Sequence, residues 1–195
     1  MKIQKHKLYL YIGRILGGVE CGLIGVLFTS WLVPTIGQNG VAVSHFCASV
    51  SSALVSLIFA TSIIIKYTVE KPFLFLWGMV FGSIIDIGIL FIPDVNPWLV
   101  VLSGNLFACG CGMGFFFARN ALINRKIQGD ELTQLNNVLM SIATIFGMVG
   151  IGISTLIPPS LLSIAYCCIV MLALSVPINF LQIRELLKLP DIERP

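Results

Sequence analysis

Charge is scarce in this chain: only 11% of its 195 residues are Asp, Glu, Lys or Arg, whereas 57% are hydrophobic. A soluble domain carries about 25% charged residues, so this composition excludes a soluble globule. A net charge of only +3 argues against a nucleic-acid partner. The sequence also lacks a nucleophile triad, a water-accessible carboxylate pair and a metal-ligand cluster, so we expect no enzymatic activity, metal or cofactor.

Long apolar runs take the place of that charge. A helix needs about 20 residues to cross a hydrocarbon layer of roughly 30 Å. The runs lack the alternating polarity of barrel strands, so we predict an all-α polytopic membrane protein, a single six-helix bundle over residues 1–195. Short loops should make consecutive helices antiparallel neighbours. The six predicted spans are residues 8–33, 41–65, 73–92, 98–118, 138–157 and 161–183.

Lysine and arginine placement predicts the orientation, because cytoplasmic loops accumulate positive charge. Of the 12 Lys and Arg residues, only Arg14 lies inside a predicted span. The loops at 34–40, 93–97 and 158–160 contain none. Both termini are therefore predicted to be cytoplasmic, in a cell membrane such as a bacterial inner membrane. The other eleven residues are Lys2, Lys5, Lys7, Lys66, Lys71, Arg119, Arg125, Lys126, Arg184, Lys188 and Arg194.

The basic start followed by an apolar run differs from a signal peptide, because the run is too long and has no small-residue cleavage site. We expect it to be retained as the first helix. The longest connection, residues 119–137, mixes charge with spaced Leu and Ile. This pattern predicts a short amphipathic helix on the membrane surface, followed by a turn at Gly129.

Two cytoplasmic connections carry a family resemblance. Residues 118–123 (Ala-Arg-Asn-Ala-Leu-Ile), with 130–136 (Asp-Glu-Leu-Thr-Gln-Leu-Asn) and a glycine-bearing helix after them, resemble the link between helices four and five of the major facilitator superfamily, particularly its drug and siderophore exporters. Residues 66–76 are similar to the family's signature loop between helices two and three, and keep its basic end at Lys71 and Pro72.

The resemblance has departures. The signature loop lacks the family's glycine and aspartate, and Asn105 stands where the fourth helix of the family often carries a buried arginine. The fifth-helix antiporter motif survives only as the glycines of residues 147–152, without its proline. The family has two six-helix halves related by an axis along the membrane normal, and this chain has the length of one half.

Two carboxylates lie deep in predicted spans, where a charge costs several kcal/mol unless it is paired or hydrated. Glu20 is 12 residues beyond Leu8, and Asp86 is 13 beyond Phe73. At about 1.5 Å per residue both lie roughly 18–20 Å from the cytoplasmic side. In the resembled family, first-helix carboxylates of some exporters bind protons or cationic substrates. The alternative is that each is a structural group, protonated or hydrogen-bonded inside the bundle.

Other polar residues in the spans have open roles. Arg14 either extends to the cytoplasmic interface or pairs with a carboxylate of another helix. Gly18, Gly22 and Gly25 form a small-residue face that predicts close helix packing, including a dimer contact. His45 begins a stripe of polar side chains, followed by Ser49, Ser52 and Ser56, that lines a wet cavity unless the serines bond their own backbone.

We therefore expect a membrane transporter of a small molecule, with proton-coupled export as one form. It would work as a parallel homodimer or with a separately encoded six-helix half. Glu20 would face the axis, and Asp86, Arg14, His45 and Asn105 would be secondary substrate or proton sites. The alternative is a binding protein that lost transport and recognises another membrane protein or a toxin, in an immunity, exclusion or regulatory role.

Overall fold

The computed structural model describes residues 4–59, 61, 66–67 and 70–191, and within these ranges the chain is helical, without strands. In this part of the chain five helices are long and apolar enough to cross a membrane, in agreement with the predicted all-α membrane class. The third of them, Pro97–Lys126, is continuous but has three parts: α3 (Pro97–Ser103), a π-helix (Gly104–Cys109) and α4 (Gly110–Lys126). The other four are α1 (Lys5–Phe59), α2 (Pro72–Leu90), α5 (Gly129–Ser154) and α6 (Leu161–Leu187).

Helix α1 is two helical arms joined at one residue. Gly37, with φ 73° and ψ −179°, is the non-helical position inside it. The predicted loop at 34–40 is therefore wrong in extent, because helix continues on both sides of Gly37. Pro34 removes one backbone hydrogen bond just before the break, and only glycine adopts such a φ cheaply. We call residues 5–36 the first arm and residues 38–59 the second arm.

The second arm returns toward the end of the bundle where the first arm begins. The Phe59 ring lies 5.3 Å from the Phe75 ring near the start of α2. That end of α2 contributes Leu76 to the same buried cluster as Leu10 of the first arm. Some of the features predicted from the sequence fall outside the described residues: positions 60 and 62–65 of the predicted second span, Lys2 and Arg194.

The segment between α4 and α5 differs from the prediction. Helix α4 continues to Lys126 and α5 begins at Gly129, so residues 119–137 hold no separate surface helix. The spaced apolar side chains of this segment pack into the core instead of facing a membrane surface. Gly129 has φ 64°, which supports the turn predicted there. The buried side chains are Leu122, Ile123, Ile127 and Leu135.

Two buried clusters mark the ends of the bundle. One joins the starts of α1, α2 and α5 to the ends of α4 and α6, through residues such as Leu10, Leu139 and Ile183. The other joins the middle of the first arm to the end of α2 and the starts of α3 and α6, through residues such as Leu27 and Val100. The first and last helical residues of the bundle therefore lie at the same end.

The first arm lies against α5 and α6. Gly18 and Gly22 allow backbone contact with α5: a Cβ at Gly18 would stand 2.8 Å from the Ala143 carbonyl oxygen, and one at Gly22 would overlap the Gly147 carbonyl oxygen. The two helices run in the same direction, since contact positions increase together along both. The first arm thus packs tightly against α5, a helix distant in sequence. We had expected only consecutive helices to be neighbours.

Candidate functional site

A cavity of about 440 Å³ lies among both arms of α1, α2, the π-helix and α6. Its wall is mainly apolar, with residues such as Phe28 and Leu172. A smaller set of polar side chains points into it from different helices. Such a cavity, apolar with a few convergent polar groups, is the usual form of a small-molecule site. The polar lining residues are Glu20, Thr29, Ser44, His45, Ser83, Asp86 and Asn105.

The two predicted carboxylates both line this cavity, although they come from different helices. Asp86 is buried, and its Oδ1 accepts a hydrogen bond of 2.7 Å from the Ser103 hydroxyl. Glu20 is only partly buried, and no hydrogen bond to its side chain is found among the described residues. Asp86 is therefore held in place by its neighbour, whereas Glu20 presents its carboxyl group to the cavity.

Asn105 belongs to the π-helix and reaches the second arm. Its Nδ2 donates to the Val101 carbonyl oxygen at 2.7 Å and to the Ser44 hydroxyl at 3.3 Å. A π-helix inserts one extra residue per turn, a feature frequent at functional sites. Here it occupies the cavity wall and links that wall to the second arm.

The predicted polar stripe of the second arm divides into two groups. His45 lines the cavity. Ser49 and Ser56 instead donate to carbonyl oxygens one turn earlier, at 2.9 Å and 2.8 Å, and both are exposed. For these two serines the backbone-bonded alternative is what the structure shows, and His45 is the member of the stripe that reaches the site.

Arg14 does not line the cavity; its side chain contacts α4 and α5 instead. Its Nε donates to the Leu139 carbonyl oxygen at 3.3 Å, and its Nη2 to the Met140 sulfur at 3.5 Å. Its guanidinium carbon is 5.9 Å from the centre of the Phe116 ring. Among the described residues no carboxylate forms an ion pair with Arg14. The side chain is held between α4 and α5.

The predicted small-residue face is divided between two surroundings. Gly18 and Gly22 pack against α5 of the same chain, so they are helix-packing residues as predicted, but this contact replaces the dimer contact expected of them. Gly25 lines the cavity and has no atom within 4 Å of the position of a Cβ. Gly17, not selected from the sequence, is open in the same way.

Sequence reasoning missed three polar residues of the spans. Ser103 fixes Asp86, but a serine in an apolar run gives no distinct signal. Gln182 is fully buried in α6, and its Nε2 donates to the Tyr9 carbonyl oxygen at 2.7 Å; its polarity inside a predicted span was the available signal. Arg119 was counted as a loop charge, yet its Nε is buried within α4.

Several ion pairs lie at the end of the bundle where α1 begins. Lys7 forms an ion pair with Glu131, with 2.7 Å between Nζ and Oε1. The Asp191 carboxylate forms ion pairs with Lys126 Nζ at 2.6 Å and with Arg125 Nη2 at 2.9 Å. The hydrogen bond from Lys126, with the positive charges of Lys126 and Arg125, holds the pKa of the Asp191 carboxyl below its usual value. The two Asp191 pairs join the segment after α6 to the end of α4, and the Lys7–Glu131 pair joins α1 to α5.

Comparison with protein-family models, with curated proteins and with solved structures found no match for this chain. The functional argument therefore depends on the cavity and on the residues that line it.

Proposed function

We propose that the chain is a membrane transporter of a small molecule, in which Glu20 carries the coupled proton or binds a cationic substrate. The observation that carries this proposal is the pair of carboxylates in one cavity deep inside apolar helices. Carboxyl groups at such depth are costly, and they mark ion or proton pathways when they face a cavity. The described part of the chain shows no ion pair to either carboxylate.

The two carboxylates have different roles in this proposal. Asp86 accepts the Ser103 hydrogen bond and is buried, so it is a structural part of the wall. Glu20 lacks such a partner among the described residues and can exchange a proton with the cavity. Ser44, His45 and Asn105 supply hydrogen-bonding groups for a substrate near Glu20.

The proposed topology has six membrane crossings, with the two arms of α1 as the first two. Support comes from the reversal at Gly37 and from the return of the second arm to the start of α2. The paired charges of Lys7, Arg125 and Lys126 lie at the end where α1 begins. By the positive-inside rule we place that end, and with it both termini, in the cytoplasm. In this proposal the arrangement corresponds to one half of a major facilitator transporter, as the resemblance of the two cytoplasmic connections implies.

A complete transporter would then need a second half, which we propose to be a second copy in the same orientation. Gly17 and Gly25 on the first arm and Gly112 on α4 have no atom within 4 Å of a Cβ position. Small residues on an open helix face allow another helix to approach closely. The cavity reaches this face at Gly25, so the second copy would close it.

The test is proton flux in proteoliposomes under an imposed pH gradient, with a panel of small organic cations. We expect flux in wild type and its loss in Glu20→Gln, which keeps the size and hydrogen-bonding capacity of the side chain. Asp94→Asn is the matched control: Asp94 lies in the loop between α2 and α3 with φ 53°, a conformation that Asn tolerates. Equal flux in wild type and Glu20→Gln would contradict the coupling role.

Assembly needs a separate measurement in nanodiscs, where the oligomeric state is determined by mass. We expect a dimer in wild type and a larger monomer fraction in Gly17→Leu. A monomer in wild type would remove the two-copy assembly and leave a separately encoded half as the partner. Absence of flux in folded wild type across the whole panel would favour the binding protein of immunity, exclusion or regulatory role.

A further inference from the structure

Two arginines share one aromatic ring away from the cavity. The guanidinium carbon of Arg14 is 5.9 Å from the centre of the Phe116 ring, and that of Arg119 is 5.2 Å from the same centre. Arg14 belongs to the first arm, whereas Phe116 and Arg119 lie one turn apart on α4. Residues of two helices thus bring two positive charges to one aromatic ring.

Most hydrogen-bond donors of this pair are unused by the described protein. Each guanidinium has five N–H donors. Arg14 makes a bond of 3.3 Å to a carbonyl oxygen and one of 3.5 Å to a sulfur, which is a weak acceptor. The buried Nε of Arg119 has no acceptor in the described part of the chain. Nor do the ion pairs found there include Arg14 or Arg119, in contrast to Arg125 on the same helix.

Such a pair is costly when it stands alone. Two like charges that are partly removed from water repel each other and lose hydration. An oxyanion between them would offset both costs, because a guanidinium donates two parallel hydrogen bonds to a phosphate or carboxylate. Phosphate has enough oxygens to accept from both groups at once.

The surroundings leave room for such a ligand. Both arginines are partly exposed, Gly17 one turn beyond Arg14 has open space beside it, and Met140 is 60% exposed. Arg119 is seven residues before the end of α4, a distance of about 10 Å along the helix. The pair therefore lies one to two turns inside the end that carries the ion-paired lysines.

We propose that Arg14 and Arg119, positioned by Phe116, form a binding site for a phosphate group, either of a lipid headgroup or of a free phosphate. The site is separate from the carboxylate cavity and does not depend on transport. Phosphate binds through both guanidinium groups, and the Phe116 ring keeps them at a fixed separation.

The experiment measures thermal unfolding of the purified full chain in an alkyl maltoside detergent, which contains no phosphate. One arm adds sodium phosphate, with sodium chloride of equal ionic strength as reference. The other adds short-chain phosphatidylglycerol, with the matching diacylglycerol as reference. Ligands that bind the folded state alone raise the Tm. We expect a rise of several degrees in at least one arm, and the arm identifies the source of the phosphate.

The variants assign the effect to the pair. Arg14→Gln and Arg119→Gln should weaken binding by about tenfold or more, since each removes charge-assisted hydrogen bonds. Arg125→Gln is the matched control, an exposed arginine on α4 that pairs with Asp191, and should keep the full shift. If a Gln variant does not fold, Arg119→Lys retains the charge and should still bind more weakly than wild type. No shift in either arm, or equal shifts in all variants, would overturn the proposal.

Discussion

The two arms of α1 are both mainly apolar, but they have different surroundings. The first arm buries Leu10, Leu27 and Leu32 almost completely, each at 1% exposure. The second arm leaves Phe46 68% and Leu57 67% exposed. A bilayer would cover the exposed apolar side chains of the second arm. The two arms therefore differ in how much of their apolar surface is buried against the rest of the protein. One arm is part of the bundle core, and the other lies along its outside.

The cavity therefore has two unlike walls. The first arm is fixed by backbone contact with α5 at Gly18 and Gly22. The second arm is attached by the hydrogen bond between Ser44 and Asn105 and by stacking of Phe59 with Phe117. Segments with few buried contacts open at lower free energy than the core. We infer that access to the cavity is gained by movement of the second arm.

The largest expected effect comes from filling the contact that fixes the first arm. Gly22→Leu places a side chain where the Gly147 carbonyl oxygen already lies, so α1 and α5 must separate. Overpacking of this kind should destabilise the fold by about 3 kcal/mol or more. Unfolding in mixed micelles, followed by circular dichroism, measures the loss.

Gly17→Leu is the control for that prediction, since the position is on the same arm with open space beside it. It should unfold like wild type in detergent. If both variants lost the same stability, the contrast between the buried and open faces of the first arm would be contradicted.

A smaller effect is expected at the junction of the arms. Gly37 has φ 73° and ψ −179°, a conformation that essentially only glycine adopts, so Gly37→Ala should destabilise the fold by about 1–3 kcal/mol. Gly78→Ala is the matched control, because Gly78 is helical and has open space beside it. The same unfolding measurement applies. A neutral Gly37→Ala would mean that the arms join without a left-handed residue.

The smallest effect concerns the attachment of the second arm. Ser44→Ala removes its hydrogen bond to Asn105 and should weaken that attachment by about 0.5–1.5 kcal/mol. Hydrogen exchange should then rise in residues 41–59 and stay unchanged in residues 5–36. Ser49→Ala is the control, since that hydroxyl bonds its own helix. Equal exchange in wild type and Ser44→Ala would show that the second arm is held by other contacts.

Most of the helices are predictable, because a long apolar run can be identified from the local sequence without knowing which other helices it contacts. The interruption at 34–40 followed from the gap between two apolar runs, and the turn at Gly129 from backbone chemistry that acts locally. The extent of helix beyond the apolar runs was not predictable in the same way. Residues 119–137 look amphipathic, but their apolar side chains pack on other helices, and the sequence does not say which surface an apolar face will meet.

The candidate site was predictable for residues whose position along a membrane-spanning helix can be counted from the sequence. Glu20 and Asp86 were expected at one depth, and the structure brings both to one cavity. Pairing between distant helices was not predictable: Gly22 meets Gly147, 125 residues later, rather than a second copy. Arg119 was missed because a basic residue at the end of a span is explained equally well by the charge bias of a cytoplasmic loop.

The π-helix Gly104–Cys109 determines how the two ends of the continuous helix Pro97–Lys126 are rotated relative to each other about the helix axis. Asn105, inside the π-helix, lines the cavity, and Arg119, beyond it, lies with Arg14 beside the Phe116 ring. Each residue turns an α-helix by about 100°, so the extra residue of a π turn rotates everything that follows relative to everything before. Deletion of Leu106 alone would leave all the side chains discussed above in the sequence. It would nevertheless turn Arg119 away from Arg14 if the cavity-lining residues before the deletion kept their positions.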